Sequence, residues 1–191
     1  MNTDINNTLI EMEKVLKRIK EEQNKEREEK LKLKTINESK INTVFPAGKY
    51  VITDPCYILD NNSEAHDDIW GDWLEKYDYF EYANYAEHEG IRFFAACTAY
   101  GDGCYPLYKN GVEIASLGVD AGLLSIIPFS LVEKLGSTEL VIKRDKSKLL
   151  KIIDIDEEFT IQYSKGVFKF GNGQYCIDTL GTEGYEGEDE N

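Results

Sequence analysis

The sequence predicts an α+β, mainly β fold: an antiparallel β sandwich or partly open barrel with one or two short helices, preceded by a long charged N-terminal helix. Three observations carry this. Residues 4–34 lack Gly and Pro and are dense in Glu, Lys and Leu. From Val44 onward, short β-branched and aromatic runs alternate with Gly, Asp, Asn and Pro punctuation. Those runs follow too closely for crossover helices between most of them, which argues against βαβ units.

The chain divides into a charged amphipathic helical segment (1–39), a compact β-rich domain (40–181) and an acidic tail (182–191) expected to be disordered. Thr8 and Glu11 have capping-box spacing. Ile5, Leu9, Met12, Leu16 and Ile19 then fall on alternating four- and three-residue steps, the seam of a coiled coil. Gln23 and Glu26 occupy the next seam positions and end the pattern. The helix is therefore expected to self-associate weakly into a homo-oligomer or to pack its first half on another surface. Residues 35–43 read as a polar linker.

Within the domain, Phe45 to Gly48 reads as a turn and Lys49 to Thr53 as a strand running into Asp54-Pro55-Cys56-Tyr57. Residues 60–68 read as a loop. Ile69, Trp70, Trp73, Leu74, Tyr77 and Phe80 recur at three and four, predicting a helix within 69–89. Ile91 to Ala99 is a continuous apolar run, expected of a central strand. Strands ending at Tyr108 and spanning Val112 to Leu117 flank Asn110-Gly111, a hairpin dipeptide. Leu123 to Pro128 predicts a buried strand, and Phe129 to Leu135 a short helix closed by Gly136. Glu139 to Lys143 and Leu149 to Ile155 read as strands. Phe159 to Tyr163 and Val167 to Phe170 form a hairpin, and Gln174 to Leu180 a last strand.

Charge and cysteine content bound the function. The formal net charge is −14 over 191 residues. Residues 1–43 hold 10 basic and 9 acidic side chains, so the remainder carries the whole deficit. Residues 54–89 hold 11 acids against Lys76 alone. Such a surface repels phosphates, so direct nucleic-acid binding is not expected. No apolar segment is long enough to span a membrane or serve as a signal-peptide core, so no membrane partner and a cytoplasmic location with reduced thiols are the expectation. Cys56, Cys97, Cys104 and Cys176 show no Cys-x-x-Cys spacing. His66 and His88 sit in acidic stretches and read as surface residues, which leaves any cysteine nucleophile without a base.

Three segments are built alike. They are Thr53-Asp54-Pro55-Cys56-Tyr57, Thr98-Ala99-Tyr100-Gly101-Asp102-Gly103-Cys104-Tyr105 and Gly118-Val119-Asp120-Ala121-Gly122. Each borders a strand and places Asp beside or near Gly or Pro. Tight turns explain them structurally, because Gly accepts positive φ and Asp bonds its own turn. Functionally, convergence of the three would bring Asp54, Asp102 and Asp120 to one mouth with Tyr57, Tyr100 and Tyr105 as walls. Asp54, Cys56, Tyr57, Thr98, Tyr100, Gly101, Asp102, Gly103, Tyr105 and Asp120 are the candidate ligand-binding residues. No cofactor is expected, although clustered carboxylates would suit a divalent metal. No catalytic motif is complete, so no catalytic residue is assigned.

The ordered motifs Gly48-Lys49-Tyr50-x-Ile52-x-Asp54-Pro55-Cys56-Tyr57, Thr98-Ala99-Tyr100-Gly101-Asp102-Gly103 and Val119-Asp120-Ala121-Gly122 resemble a loosely defined set of small proteins carried by bacteria and their phages. The resemblance covers about residues 45–130. It implies a β-rich fold and a phage or mobile-element setting, and brings no activity with it. The leading functional expectation is a non-enzymatic binding protein that captures a small polar ligand, of nucleotide-signal type among others, or blocks a host protein in counter-defence. An Asp-based, metal-assisted hydrolase or lyase and an acidic decoy mimicking nucleic acid are the alternatives.

Overall fold

The computed structural model describes residues 11–12, 14–25, 28–29, 43–60, 63–81 and 84–181. The expected capping residue Thr8, the seam residues Ile5 and Leu9, nearly all of the linker, and the acidic tail lie outside these. Residues 14–25 form helix α1, favoured by the strong helix formers Lys, Glu, Gln and Leu.

The β-rich part is a sandwich backed by helices. Strands β1 (Val44–Phe45), β2 (Gly48–Thr53), β3 (Tyr85–His88), β4 (Ile91–Cys97), β5 (Gly103–Lys109), β6 (Val112–Val119), β7 (Leu123–Pro128), β8 (Leu150–Ile155), β9 (Phe159–Thr160), β10 (Gln162–Ser164), β11 (Val167–Phe170) and β12 (Tyr175–Asp178) pair antiparallel throughout. One sheet runs β3-β4-β7-β2-β8, the other β10-β11-β12-β5-β6, and β1 with β9 forms a two-stranded ribbon. Helices α2 (Glu64–Lys76), α3 (Phe129–Lys134) and α4 (Thr138–Arg144) complete the order. The architecture is α+β and mainly β, and the sheets do not close into a barrel.

Strand periodicity explains the layers. On β2, β4 and β7, Tyr50, Ile52, Phe94, Ala96, Leu124 and Ile126 point into the space between the sheets. Their neighbours Val51, Phe93, Ala95, Leu123 and Ile127 point the other way, onto Trp73, Leu131, Val132 and Val141 of the helices. Both faces of this sheet are buried, which is why its strands read as unbroken apolar runs. The second sheet buries one face, through Tyr105, Leu107, Leu117, Val119, Phe168, Phe170, Tyr175 and Ile177. The inter-sheet core is aromatic: Phe94 meets Phe168 edge-on at 6.3 Å and Phe170 stacks on Tyr175 at 5.3 Å. Truncating such a ring to alanine removes about 3–5 kcal/mol. The β5–β6 hairpin turns on Asn110 (φ 51°) and Gly111 (φ 78°), the two positive values a type I′ turn demands.

Three local expectations are corrected. The helix predicted within 69–89 begins earlier, at Glu64, and stops at Lys76. Asp78, Tyr79 and Phe80 then take φ of 47°, 55° and 58°, a left-handed turn that no helix continues through. Tyr77 and Phe80 still pack in the helical layer, stacked at 5.4 Å, so the apolar spacing ran on past the reversal. Residues 85–88, inside the same prediction, are strand β3 on β4. Finally, the strand predicted over Glu139 to Lys143 is helix α4. Its acidic first turn and basic last turn (Glu139; Lys143, Arg144) are helix-dipole signals that β-branched Val141 and Ile142 obscured.

Candidate functional site

All three Asp-bearing turns lie at one end of the first sheet. Thr53 pairs with Ser125, and Cys97 with Leu123, so the exit of β2, the exit of β4 and the entry of β7 are neighbours. The N–H of Thr98 donates to the carbonyl of Gly122 at 2.9 Å. Gly122 (φ 67°) lies against Gly101, where an added Cβ would come within 3.4 Å of the Gly101 Cα.

Asp54 joins the first turn to the third. It caps the 3-10 turn Pro55–Ile58, its Oδ1 accepting from the Cys56 N–H at 3.1 Å. Its Oδ2 accepts from the N–H groups of Asp120 at 3.1 Å and Ala121 at 2.7 Å. The residue is fully buried. Burial pushes its carboxyl above the usual Asp range, and the three N–H donors pull the other way. Thr53, also fully buried, donates its hydroxyl to the Leu149 carbonyl at 3.1 Å, and its own carbonyl accepts from Ser125 Oγ at 2.7 Å.

The second turn is clamped from within. The hydroxyls of Thr98 and Tyr105 both reach the Gly101 carbonyl, at 2.6 and 2.8 Å. The Ala99 N–H donates to Thr179 Oγ1 at 2.8 Å, and that hydroxyl donates to the Gly166 carbonyl at 2.7 Å. The turn is thereby tied to the far strands of the second sheet.

Tyr57 and Arg144 sit at the rim. The Asp120 carboxylate lies beside the Tyr57 hydroxyl and opposes its ionisation. The Arg144 guanidinium lies 5.9 Å from the centroid of the Tyr57 ring and donates to the carbonyls of Tyr57 and Leu59. Burial and then the Asp120 carboxylate push the Tyr57 phenol well above its ordinary value. The Cys56 thiol is likewise pushed well up, by burial first and then by Asp54, with Arg144 opposing. A thiol so disfavoured as thiolate is a poor nucleophile.

The ten predicted residues therefore divide by what they touch. Asp54, Thr98 and Tyr105 are buried and bonded to turn backbone. Cys56, Tyr57, Gly101 and Gly103 are half-buried. Tyr100, 65 % exposed, and the carboxylates of Asp102 and Asp120 face solvent. Arg144, Thr179 and Gly166 escaped sequence reasoning. Each acts over a long loop, and Arg144 lay next to a segment read as strand. The two histidines, read as surface residues, are half-buried and hydrogen-bonded. His66 Nδ1 accepts from the Asp60 N–H at 2.6 Å while its Nε2 meets the Leu135 carbonyl at 3.1 Å, and Trp73 Nε1 donates to His88 Nδ1 at 3.2 Å.

Comparison of the chain with protein-family models, with curated proteins and with solved structures finds no match. Among the described residues, no three His, Cys, Asp or Glu side chains gather as a metal-ligating group. Both Asp54 oxygens face N–H donors, an arrangement suited to holding backbone rather than a cation. Nor is any helix, among the described residues, long and apolar enough to cross a membrane.

Proposed function

We propose that the domain is a non-enzymatic binding protein of phage or mobile-element type, whose three-turn edge captures a small polar ligand or the surface of a host protein. The observation that supports this is the fully buried Asp54 carboxylate, which holds the backbone of two turns. Desolvating a carboxylate is unfavourable, and its three N–H bonds offset that only while the turns keep this shape. Loops held in this way lose little entropy on binding. What they hold outward is chemically coherent: an exposed Tyr100 ring, the Asp102 and Asp120 carboxylates, and glycine backbone at Gly101 and Gly122. Acid–base chemistry fits less well, because both oxygens of Asp54 are already engaged and the Cys56 thiol is suppressed.

The test is thermal unfolding of the whole chain against cyclic and linear nucleotides and divalent metals. A ligand at a hundred times its Kd adds about 2.7 kcal/mol. The shift is expected to disappear in Tyr100→Ala and Asp102→Ala, whose exposed side chains leave the unliganded midpoint in place. A shift that survives both variants puts the ligand elsewhere and overturns the reading.

A second reading has its own observation. Exposed Glu64, Asp67, Asp68, Asp72 and Glu75 crowd α2, and none forms an ion pair with another described residue. An acidic decoy for a basic host surface would use this flank. Charge reversal at Asp68 and Asp72 would then abolish the host effect, and Asp102→Ala would leave it intact.

A further inference from the structure

A cleft of about 430 Å³ opens at the end of the first sheet opposite the three Asp turns. β2 and β7 are antiparallel, so Tyr50 pairs with Pro128 at this end and Thr53 with Ser125 at the other. Residues 46–49 form one wall, and residues 129–133 of α3 the other. The volume falls within the range of small-molecule sites, about 300–1,000 Å³. The walls are fixed. Tyr50 is buried on the floor, and its hydroxyl donates to the Pro46 carbonyl at 2.7 Å. The rings of Pro46 and Pro128 hold their own φ. Leu131 and Val132 are fully buried, which sets the rotation of α3 and leaves Phe129 and Glu133 on the cleft. A site shaped in advance binds at little entropic cost.

Pro46, Pro128 and the half-buried Phe129 ring offer flat apolar surface. The Lys49 ammonium lies 5.6 Å from the centroid of that ring, and forms no ion pair with another described residue. Glu133, one helical turn on from Phe129, is exposed and likewise forms none, its neighbour Lys134 being engaged by Glu89 at 3.5 Å. Opposite charges thus stand on the two walls without meeting. A simple anion suits Lys49 but is repelled by Glu133, and a simple cation the reverse. A molecule with an ammonium and a carboxylate on one carbon suits both. A ring on that molecule packs against Phe129 and the prolines with few torsions to freeze.

We propose that this cleft is a second binding site, for a free aromatic α-amino acid, with the carboxylate on Lys49, the ammonium on Glu133 and the ring against Phe129, Pro46 and Pro128. Saturation-transfer NMR of the full chain with phenylalanine, tyrosine and tryptophan tests this. Transfer to the ring protons is expected, and no transfer to any of the three overturns the proposal. Leucine is expected to bind far more weakly; equal binding overturns the ring assignment. Lys49→Met and Glu133→Gln, both at exposed side chains, are expected to keep the thermal midpoint and to weaken phenylalanine binding several-fold. Unchanged affinity in either places the ligand elsewhere. Phenylalanine amide lacks the carboxylate and is expected to be indifferent to Lys49→Met. N-acetylphenylalanine lacks the ammonium and is expected to be indifferent to Glu133→Gln. A derivative that stays fully sensitive to its matched variant refutes that contact. Binding is expected to survive Tyr100→Ala and Asp102→Ala, and its loss there would put the amino acid at the three-turn edge and overturn the second site.

Discussion

Oδ2 of Asp54 lies 2.7 Å from the backbone nitrogen of Ala121, a contact between residues 67 positions apart in sequence. With the bonds to Asp120 and Cys56 it leaves three buried-edge N–H groups dependent on one side chain. Asp54→Asn keeps the shape but turns one oxygen into a donor that faces donors. It is expected to lower stability by about 1.5–3 kcal/mol, the range for a hydrogen bond to a charged group. Asp54→Ala orphans all three N–H groups and is expected to lose about 3–5 kcal/mol. Denaturant unfolding measures both, and a loss below about 1 kcal/mol for the alanine variant contradicts the stapling role.

That contact also marks where the sequence stops being informative. The strands of the first sheet could be read because Tyr50 to Thr53, Phe93 to Ala96 and Leu123 to Ile127 are buried on both faces, and apolarity is a local property. The Asn110-Gly111 turn could be read because its φ values select its residues. That the three Asp turns share one sheet end follows from the pairings of Thr53 with Ser125 and Cys97 with Leu123, and neither pairing leaves a local mark. Arg144 was lost twice over, first to a helix read as a strand and then to a reach across 87 residues to Tyr57.

Tyr50 gives the pH prediction. It is 1 % exposed, its hydroxyl donates to the Pro46 carbonyl at 2.7 Å, and burial pushes its phenol up from 10 to about 12. A raised folded-state value favours the protonated form in the fold. Its contribution is therefore complete below pH 10 and is lost as pH rises through 12, by about 2–3 kcal/mol in all. Tyr50→Phe gives up the hydrogen bond, about 1 kcal/mol near neutrality, but carries no such loss. The stability difference between wild type and variant is expected to change sign between pH 10 and 12, with other titrations cancelling. A difference constant over that interval refutes the assignment.

Cys56 gives a reactivity prediction. Burial comes first in raising its thiol, and the negative charges of Asp54 and Asp120 add to it. Only the thiolate alkylates, so at mildly alkaline pH native Cys56 is expected to react with iodoacetamide far more slowly than in denaturant. Asp120→Asn removes one of the opposing charges from an exposed position and is expected to speed the native reaction. Peptide mass spectrometry follows the site directly, and equal native and denatured rates would sink the argument.

Gly166 tests whether the edge is held from a distance. Its φ is +87°, and a Cβ there would stand 2.5 Å from Thr179 Oγ1, 2.8 Å from Ala99 Cβ and 2.9 Å from Ala99 N. These atoms belong to the clamp on the second turn: Thr179 Oγ1 accepts from Ala99 N–H and donates to the Gly166 carbonyl. Gly166→Ala therefore combines left-handed backbone strain, about 1–2 kcal/mol, with overpacking, about 1–3 kcal/mol. Gly111 separates the two effects, since its φ is +78° and no atom lies within 4 Å of an added Cβ. Gly111→Ala is expected to show the strain alone. The excess loss in Gly166→Ala measures the crowding, and hydrogen exchange should place it at the Ala99 amide, whose acceptor is displaced. Equal losses in the two variants, with Ala99 protected as before, would mean that the clamp yields without effect and that the second turn keeps its shape through Thr98 and Tyr105 alone.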